Sequence, residues 1–136
     1  METVSEDGVR VSLSNHEVEG ADLHIVYILD IGLNNLQWRL SKRYSEFDAL
    51  KKALDKLKQK SDGDIPDKMP GKHMTGNNSD KVIAERKAGL GKWVHAIMKT
   101  PWAARSKQWA EFCEATSAER SELWEEEIEL AGGSLH

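Results

Sequence analysis

Apolar and polar residues alternate in the first third of the chain. Gly8 to Ser14 and Leu36 to Ser41 have the period of two that half-buried strands show, and Asp22 to Ile31 is rich in β-branched and aromatic residues. Gly32 to Asn35 reads GLNN, which is typical of a tight turn. The pattern therefore predicts a three-stranded antiparallel meander.

The apolar spacing changes to the period of a helix after Ser45. Ser45 and Asp48 have the S-x-x-D form of a capping box, and the helix that they open is predicted to end near Lys60. Ser61 to Asp80 contains three glycines and two prolines, which predicts a long loop. A loop of that length in a small domain is often functional.

Two further helices and an acidic segment follow the loop. The second helix is predicted from about Ser79 to Lys99, and Thr100 with Pro101 forms an N-cap and first-turn pair that opens a third. Ser121 to Ala131 is acidic and is predicted to be a C-terminal helix that stops at a glycine pair. The large apolar residues of the third helix are Trp102, Trp109 and Phe112.

Length and composition favour one compact domain, and the order of the predicted elements makes it α+β, a three-stranded meander packed against a helical subdomain. The chain has 136 residues, of which 39% are hydrophobic and 31% are charged. We expect an N-terminal tail over residues 1–7, a folded domain over 8–115, and an acidic C-terminal helix and tail over 116–136. The single cysteine, Cys113, indicates a reducing, cytoplasmic environment. The longest apolar run, Ile25 to Leu29, is too short to cross a membrane.

The charges are unevenly distributed along the chain. The net charge is −4, which argues against general nucleic-acid binding. Leu36 to Lys99 nevertheless contains 15 basic and 8 acidic residues, while the rest contains 4 basic and 15 acidic residues. The lysines of the middle segment either solvate helix faces or form a basic patch for an anionic partner.

One arginine interrupts the apolar face of the second helix. A guanidinium removed from water without a partner carries a large free-energy cost. Arg86 therefore either pairs with a carboxylate at the edge of the core or lines a cavity for an anion. Gly89 and Gly91 weaken the helix and suggest that another element approaches it closely. Arg86 shares its face with four apolar residues, Ile83, Leu90, Trp93 and Ile97.

Arg43 and Tyr44 stand where the third strand ends and the first helix begins. Taken singly, Arg43 is explained as a surface charge at a strand end, and Tyr44 is explained as an aromatic core residue. The long loop adds Lys72 at the end of the sequence MPGK. Together with Arg86, these cations could converge on one anion that bears more than one phosphate, because arginine suits bidentate phosphate contacts.

In combination, these motifs resemble those of phox homology (PX) domains. The resemblance covers about Gly8 to Ala115 and rests on the sequences KRYSEF, MPGK and ERKAGLGKWV, in that order after three strands. It implies the PX fold and the binding of phosphoinositides, most often phosphatidylinositol 3-phosphate, on endosomal membranes. It also implies a peripheral membrane protein of membrane trafficking and protein transport.

The resemblance implies a role for each motif residue. Arg43 would hold the 3-phosphate, and Tyr44 would pack beneath the inositol ring. Lys72 would contact the 1-phosphate, and Arg86 would hydrogen-bond the 4- and 5-hydroxyl groups. Arg43 with Tyr44 at the strand end and Arg86 in the helix would then form the two halves of one headgroup cavity.

The loop departs from the family pattern, which usually reads Pro-x-x-Pro-x-Lys. Here Pro66 and Pro70 are separated by three residues, so Lys68 is an additional candidate for a phosphate contact. Met69 and Met74 are the candidates for membrane insertion, because the rest of the loop is polar. We expect the insertion to be shallow and the affinity to be modest.

Other functions have weaker support in the sequence. It contains no recognisable catalytic constellation, metal-ligand spacing or cofactor motif, so neither an enzyme nor a bound metal or cofactor is expected. The main alternative is a PX-like protein-interaction module with weak or no lipid binding. The acidic helix would then be a docking face for a protein partner, unless its thin apolar stripe packs on its own domain. That stripe consists of Leu123, Trp124 and Ile128.

Overall fold

The computed structural model of the chain describes residues 2–4, 8–58, 65, 68–71, 79–115, 117 and 120–125. Four antiparallel strands form one sheet in sequence order, namely β1 (Glu2–Val4), β2 (Arg10–Glu19), β3 (His24–Leu33) and β4 (Leu36–Arg43). The helices are α1 (Tyr44–Lys58), α2 (Asp80–Met98), α3 (Pro101–Ala104) and α4 (Lys107–Phe112). The predicted α+β class and the antiparallel meander are confirmed.

The sheet has one strand more than predicted, so the count of three strands was wrong. Strand β1 lies in the segment that we expected to be a tail, where Thr3 pairs with Val11 of β2. The hydroxyl of Thr3 lies 3.0 Å from Nδ1 of His95, and Nζ of Lys99 donates to the carbonyl of Val4 at 3.1 Å. Three residues are too few to show an alternating pattern, and these contacts come from distant parts of the chain.

A two-residue turn sets the register between β3 and β4. Asn34 has a φ of +55°, which asparagine tolerates better than most residues, and Leu33 pairs with Leu36 on either side of the turn. Pairing then continues without a shift to Val26 opposite Arg43. The turn therefore determines which residues of β3 lie beside the end of β4.

Strand β4 runs directly into α1. The backbone N–H of Arg43 donates to the carboxylate of Glu46 at 3.0 Å, and the helix begins at Tyr44. The predicted capping box of Ser45 and Asp48 was therefore wrong, because the helix starts before Ser45 and Glu46 supplies the side chain that caps it. This cap fixes the strand–helix corner.

The second helix begins as predicted, with Ser79 as its N-cap, but the third is divided into two. Oγ of Ser79 accepts from the N–H of Val82 at 3.2 Å. After α3, Oγ of Ser106 donates to the carbonyl of Ala103 at 2.7 Å and accepts from the N–H of Trp109 at 3.1 Å. Ser106 thus ends one short helix and caps the next.

The buried apolar residues of the described ranges form one hydrophobic core between the sheet and the helices. The Phe47 ring makes edge contacts with Tyr27 and Phe112, at centroid distances of 6.2 and 5.1 Å. Because Tyr27 is on β3 and Phe112 is on α4, these contacts clamp the first turn of α1 in place. Other core residues include Leu29, Leu54, Leu90, Ile97, Trp109 and Cys113.

Residues 120–125 form a helical segment that packs on the same core. The side chain of Trp124 is only 1% exposed. Cζ of Arg120 lies 4.5 Å from the centre of the Trp38 ring, and its Nη1 donates to the carbonyl of Glu114 at 3.0 Å. The described part of the acidic segment therefore packs on its own domain, while Ile128 lies outside the described residues.

Within the described ranges, no helix combines the length and the apolar character that a bilayer span requires.

Candidate anion-binding site

A cavity of about 340 Å³ opens where the sheet meets the helices. Its wall is formed by the β2–β3 hairpin, the start of β3, the β4–α1 corner and the first half of α2. Three of the four residues predicted to hold a headgroup, Arg43, Tyr44 and Arg86, lie in this wall. The lining residues that the structure describes are Asp22, His24, Ile25, Tyr27, Arg43, Tyr44, Ser45 and Arg86.

Arg43 reaches the cavity from the last position of β4. Its main chain is held by the pairing with Val26 and by the cap from Glu46, while its side chain is exposed. Among the described residues, no carboxylate forms an ion pair with Arg43. A cation on a rigid corner is thus available to an anion that enters the cavity.

Arg86 reaches the same cavity from α2 and is only 9% exposed. Its Cζ lies 4.2 Å from the centre of the Tyr44 ring, and its Nε, which is buried, has no hydrogen-bond partner. No carboxylate of the described residues pairs with it. Of the two interpretations of this arginine, the structure therefore favours the lining of a cavity over a structural salt bridge.

Two tyrosines border the guanidinium of Arg86. Burial raises the pKa of Tyr27, and the charge of Arg86 and a hydrogen bond from it act in the opposite direction. Burial also raises the pKa of Tyr44, again opposed by the charge of Arg86. Both hydroxyl groups therefore stay neutral at physiological pH, and the cation is surrounded by polarisable rings rather than by negative charge.

The long loop is attached to this site through Tyr44 and α2. The hydroxyl of Tyr44 donates a hydrogen bond to the carbonyl of Pro70. A Cβ atom at Gly89 would lie 3.0 Å from Cγ of Pro70, so the proline ring sits directly on the helix. The expected close approach to Gly89 is confirmed. Lys72 follows this anchored turn in the sequence but lies outside the described residues, as does Met74.

Substitution of the two α2 glycines by alanine should have different effects on stability. At Gly91 the new Cβ would meet only the carbonyl of Leu13, at 3.7 Å, which is an ordinary contact. We expect Gly91→Ala to raise the free energy of unfolding by about 1 kcal/mol through helix propensity. Gly89→Ala should gain nothing or lose stability, because Pro70 must move. Urea unfolding of both variants checks this, and equal gains would contradict the close packing of Pro70.

The other two loop candidates lie elsewhere. Lys68 lines a second cavity of about 360 Å³ and is not brought together with Arg43 and Arg86. Met69 lines the same second cavity and packs, partly buried, against the hydrophobic core, which does not favour its insertion into a membrane. The second cavity is lined by Lys51, Asp55, Lys58, Ile65, Lys68, Met69, Trp93 and Trp102.

Sequence reasoning did not find Asp22, His24 and Tyr27 in the cavity wall. The β3–β4 register brings the start of β3 close to Arg43, because pairing counted outward from the turn at Asn34 places Val26 opposite Arg43. The turn sequence was recognised, so the missing step was to extend the pairing back to the start of β3. Asp22 lies in the hairpin beyond that start, and no local pattern connects it with Arg43.

The fold and the cavity define a class of protein, a small α+β binding module with a cationic, aromatic-walled cavity at its sheet–helix junction. The sequence model of the PX domain family matches residues 32–116. The chain belongs to the PX domain family. This is a family of non-enzymatic binding modules associated with phosphoinositides and membrane trafficking.

The chain is similar to two sorting nexins. It is 32% identical over 73 residues to sorting nexin-20 of Bos taurus, an alignment that covers 54% of this chain and 22% of that protein. It is 30% identical over 100 residues to sorting nexin lst-4 of Caenorhabditis elegans, which covers 74% of this chain and 17% of that protein. The chain thus matches about a fifth of the length of these relatives.

A solved structure of a designed CISK-PX domain has a similar fold. It superposes with a TM-score of 0.63 at 26% sequence identity, over 75% of this chain and 95% of that domain.

Proposed function

We propose that this domain recognises phosphatidylinositol 3-phosphate and thereby recruits the protein that carries it to endosomal membranes. One observation supports this most strongly. Arg43 and Arg86 belong to different elements, line one cavity, and are each without a carboxylate partner in the described part of the chain.

The chemistry of the cavity suits an inositol phosphate. Two guanidinium groups can supply bidentate hydrogen bonds to phosphate and hydroxyl oxygens, and a ring phosphate carries about −1.5 to −2 charges at neutral pH. The Tyr44 ring gives a flat wall for the sugar-like ring to pack against. The volume of about 340 Å³ lies at the lower end of the range of small-ligand sites. Arg43 and Arg86 would hold the phosphate and hydroxyl groups.

The loop and the hairpin would complete the contact with the membrane. Lys72 is proposed to contact the 1-phosphate, and Met74 to touch the bilayer. Lys68 would at most add general attraction from its own cavity. At the headgroup cavity, the β2–β3 hairpin carries Leu23, which is 64% exposed and lies in the sequence between the cavity residues Asp22 and His24. An apolar side chain in that position suits a surface that faces lipid.

The proposal is tested by liposome pelleting with Arg43→Gln. We expect binding to liposomes that contain phosphatidylinositol 3-phosphate to fall about 10- to 100-fold, because one charge-assisted contact is worth about 1.5–3 kcal/mol. Arg39→Gln is the matched control, because Arg39 is on the same strand but does not line the cavity. Its Nε donates to Oδ1 of Asp30 at 2.8 Å. It removes the same charge and should change binding less than threefold.

Two outcomes would contradict the proposal. Equal losses in the two variants would mean that only general charge attracts the domain to the membrane. Failure of the wild-type domain to bind any phosphoinositide would instead favour the protein-interaction alternative. Thermal unfolding of both variants confirms that each is folded before binding is compared.

A further inference from the structure

The described wall of the headgroup cavity contains one carboxylate, which the proposed function does not use. Asp22 lines the cavity together with His24, and Nδ1 of His24 lies 2.7 Å from Oδ1 of Asp22. A carboxylate can only accept a hydrogen bond, so Nδ1 is the donor. The other ring nitrogen, Nε2, lies 3.9 Å from Oε1 of Glu19. Both ring nitrogens of His24 thus face carboxylates. The imidazole therefore positions Asp22 and is not oriented to bind a ligand.

The hairpin backbone is shaped around this pair. Gly20 has a φ of +78° and Leu23 a φ of +54°, and the N–H of Leu23 donates to the carbonyl of Gly20 at 3.2 Å. A Cβ atom at Gly20 would lie 2.9 Å from both Oδ1 of Asp22 and Cε1 of His24. A side chain there would push the pair apart. The turn therefore fixes where Asp22 points.

Asp22 is an ionised group at the rim of the cavity. The hydrogen bond from His24 lowers the pKa of its carboxyl group, and the charge of Arg43 acts in the same direction. No ion pair joins Asp22 to Arg43 among the described residues, so Asp22 leaves the arginine available to a ligand. Among the described residues of the wall, the other titratable or charged groups are Tyr27, Tyr44 and Arg86.

The two arginines of the described wall match one ring phosphate in charge. Arg43 and Arg86 supply two positive charges, and one ring phosphate carries about −1.5 to −2. A second ring phosphate would find no further arginine or lysine among the described lining residues and would meet Asp22 instead. Like charges repel, so the carboxylate of Asp22 disfavours a second ring phosphate beside it.

We propose that Asp22, positioned by His24, is a specificity determinant that restricts the cavity to headgroups with a single ring phosphate. This rests on the proposed function, because it concerns the same cavity and ligand class. Arg43 and Arg86 attract the headgroup, and Asp22 rejects headgroups that carry more ring phosphates. Selectivity by repulsion of the wrong ligand is a common device in recognition.

The test compares Asp22→Asn with wild type by calorimetry, using soluble headgroups so that membrane charge plays no part. The probes are inositol 1,3-bisphosphate, the 1,3,4- and 1,3,5-trisphosphates, and the 1,3,4,5-tetrakisphosphate. We expect wild type to prefer the bisphosphate. In Asp22→Asn the affinity for at least one of the more highly phosphorylated probes, relative to the bisphosphate, should rise about tenfold. Glu17→Gln removes the same charge from the same hairpin, outside the cavity wall, and should leave this ratio unchanged.

His24→Leu provides a second variant, because leucine cannot donate a hydrogen bond and the loss of that bond should weaken the selectivity without removing the carboxylate. A purely structural role for His24 would lower all affinities together and leave their ratio unchanged. The proposal is overturned by an unchanged ratio in Asp22→Asn, by the same change in Glu17→Gln, or by a wild type that already prefers the more phosphorylated probes. If neither wild type nor Asp22→Asn binds any probe, the proposed function itself fails, and this inference fails with it.

Discussion

Arg86→Met should weaken recognition of phosphatidylinositol 3-phosphate at least tenfold without lowering the stability of the domain. Arg86 is buried, its Nε has no partner, and no described carboxylate depends on it for neutralisation. Methionine has a similar length and would retain contact with the Tyr44 ring, and it removes a buried charge that is costly to keep. The free energy of unfolding should therefore stay the same or rise.

The loss of binding should be at least tenfold, because the variant removes both a cation and several hydrogen-bond donors. Urea unfolding and liposome pelleting on the same samples measure the two effects. Arg86→Lys is the informative companion, since it keeps the charge but not the planar donor fork, and it should bind with intermediate affinity. A destabilisation of about 3–5 kcal/mol in Arg86→Met would instead indicate that a buried ion pair had been broken. Arg86 would then be a structural residue.

Trp124→Ala should strongly destabilise the domain. Trp124 is 1% exposed and belongs to the hydrophobic core, although it lies beyond residue 116, where the match to the PX family ends. Replacing a fully buried tryptophan by alanine typically lowers the free energy of unfolding by about 3–5 kcal/mol. We expect a loss of that size in urea unfolding.

Glu122→Ala is the control for this prediction, because Glu122 is in the same helical segment and is exposed. It should change the free energy of unfolding by less than about 0.5 kcal/mol. A similarly small effect for Trp124→Ala would mean that the segment does not pack on the domain in solution. The acidic segment would then again be a candidate docking face for a protein partner.

The sequence predicted the sheet and the two long helices well, because their signals are local and repeated. The alternation in β2 and β4, the turn at Asn34 and the N-cap Ser79 each involve neighbours in the chain. The predictions that failed had no repeated signal in the sequence. Strand β1 is visible only through its pairing with β2, and the break between α3 and α4 depends on two local hydrogen bonds of one serine, Ser106.

The site was predicted mainly from one charged residue, Arg86, within the apolar face of the second helix. Arg86 stood out because a cation in an apolar helix face needs an explanation, and Arg43 with Tyr44 matched a family motif. Asp22 and His24 gave no such signal, because their place in the wall depends on the hairpin turn and on the β3–β4 register. The contribution of Lys72 stays a prediction.

The most direct test of the account is an NMR titration with soluble, short-chain phosphatidylinositol 3-phosphate, following the Nε–Hε signals of Arg43 and Arg86. We predict that the two signals shift together and give one dissociation constant, because both guanidinium groups contact the same headgroup. If both signals stay unchanged while residues of the second cavity, such as Lys51 and Lys58, respond to the lipid, the headgroup binds elsewhere and the central claim is wrong.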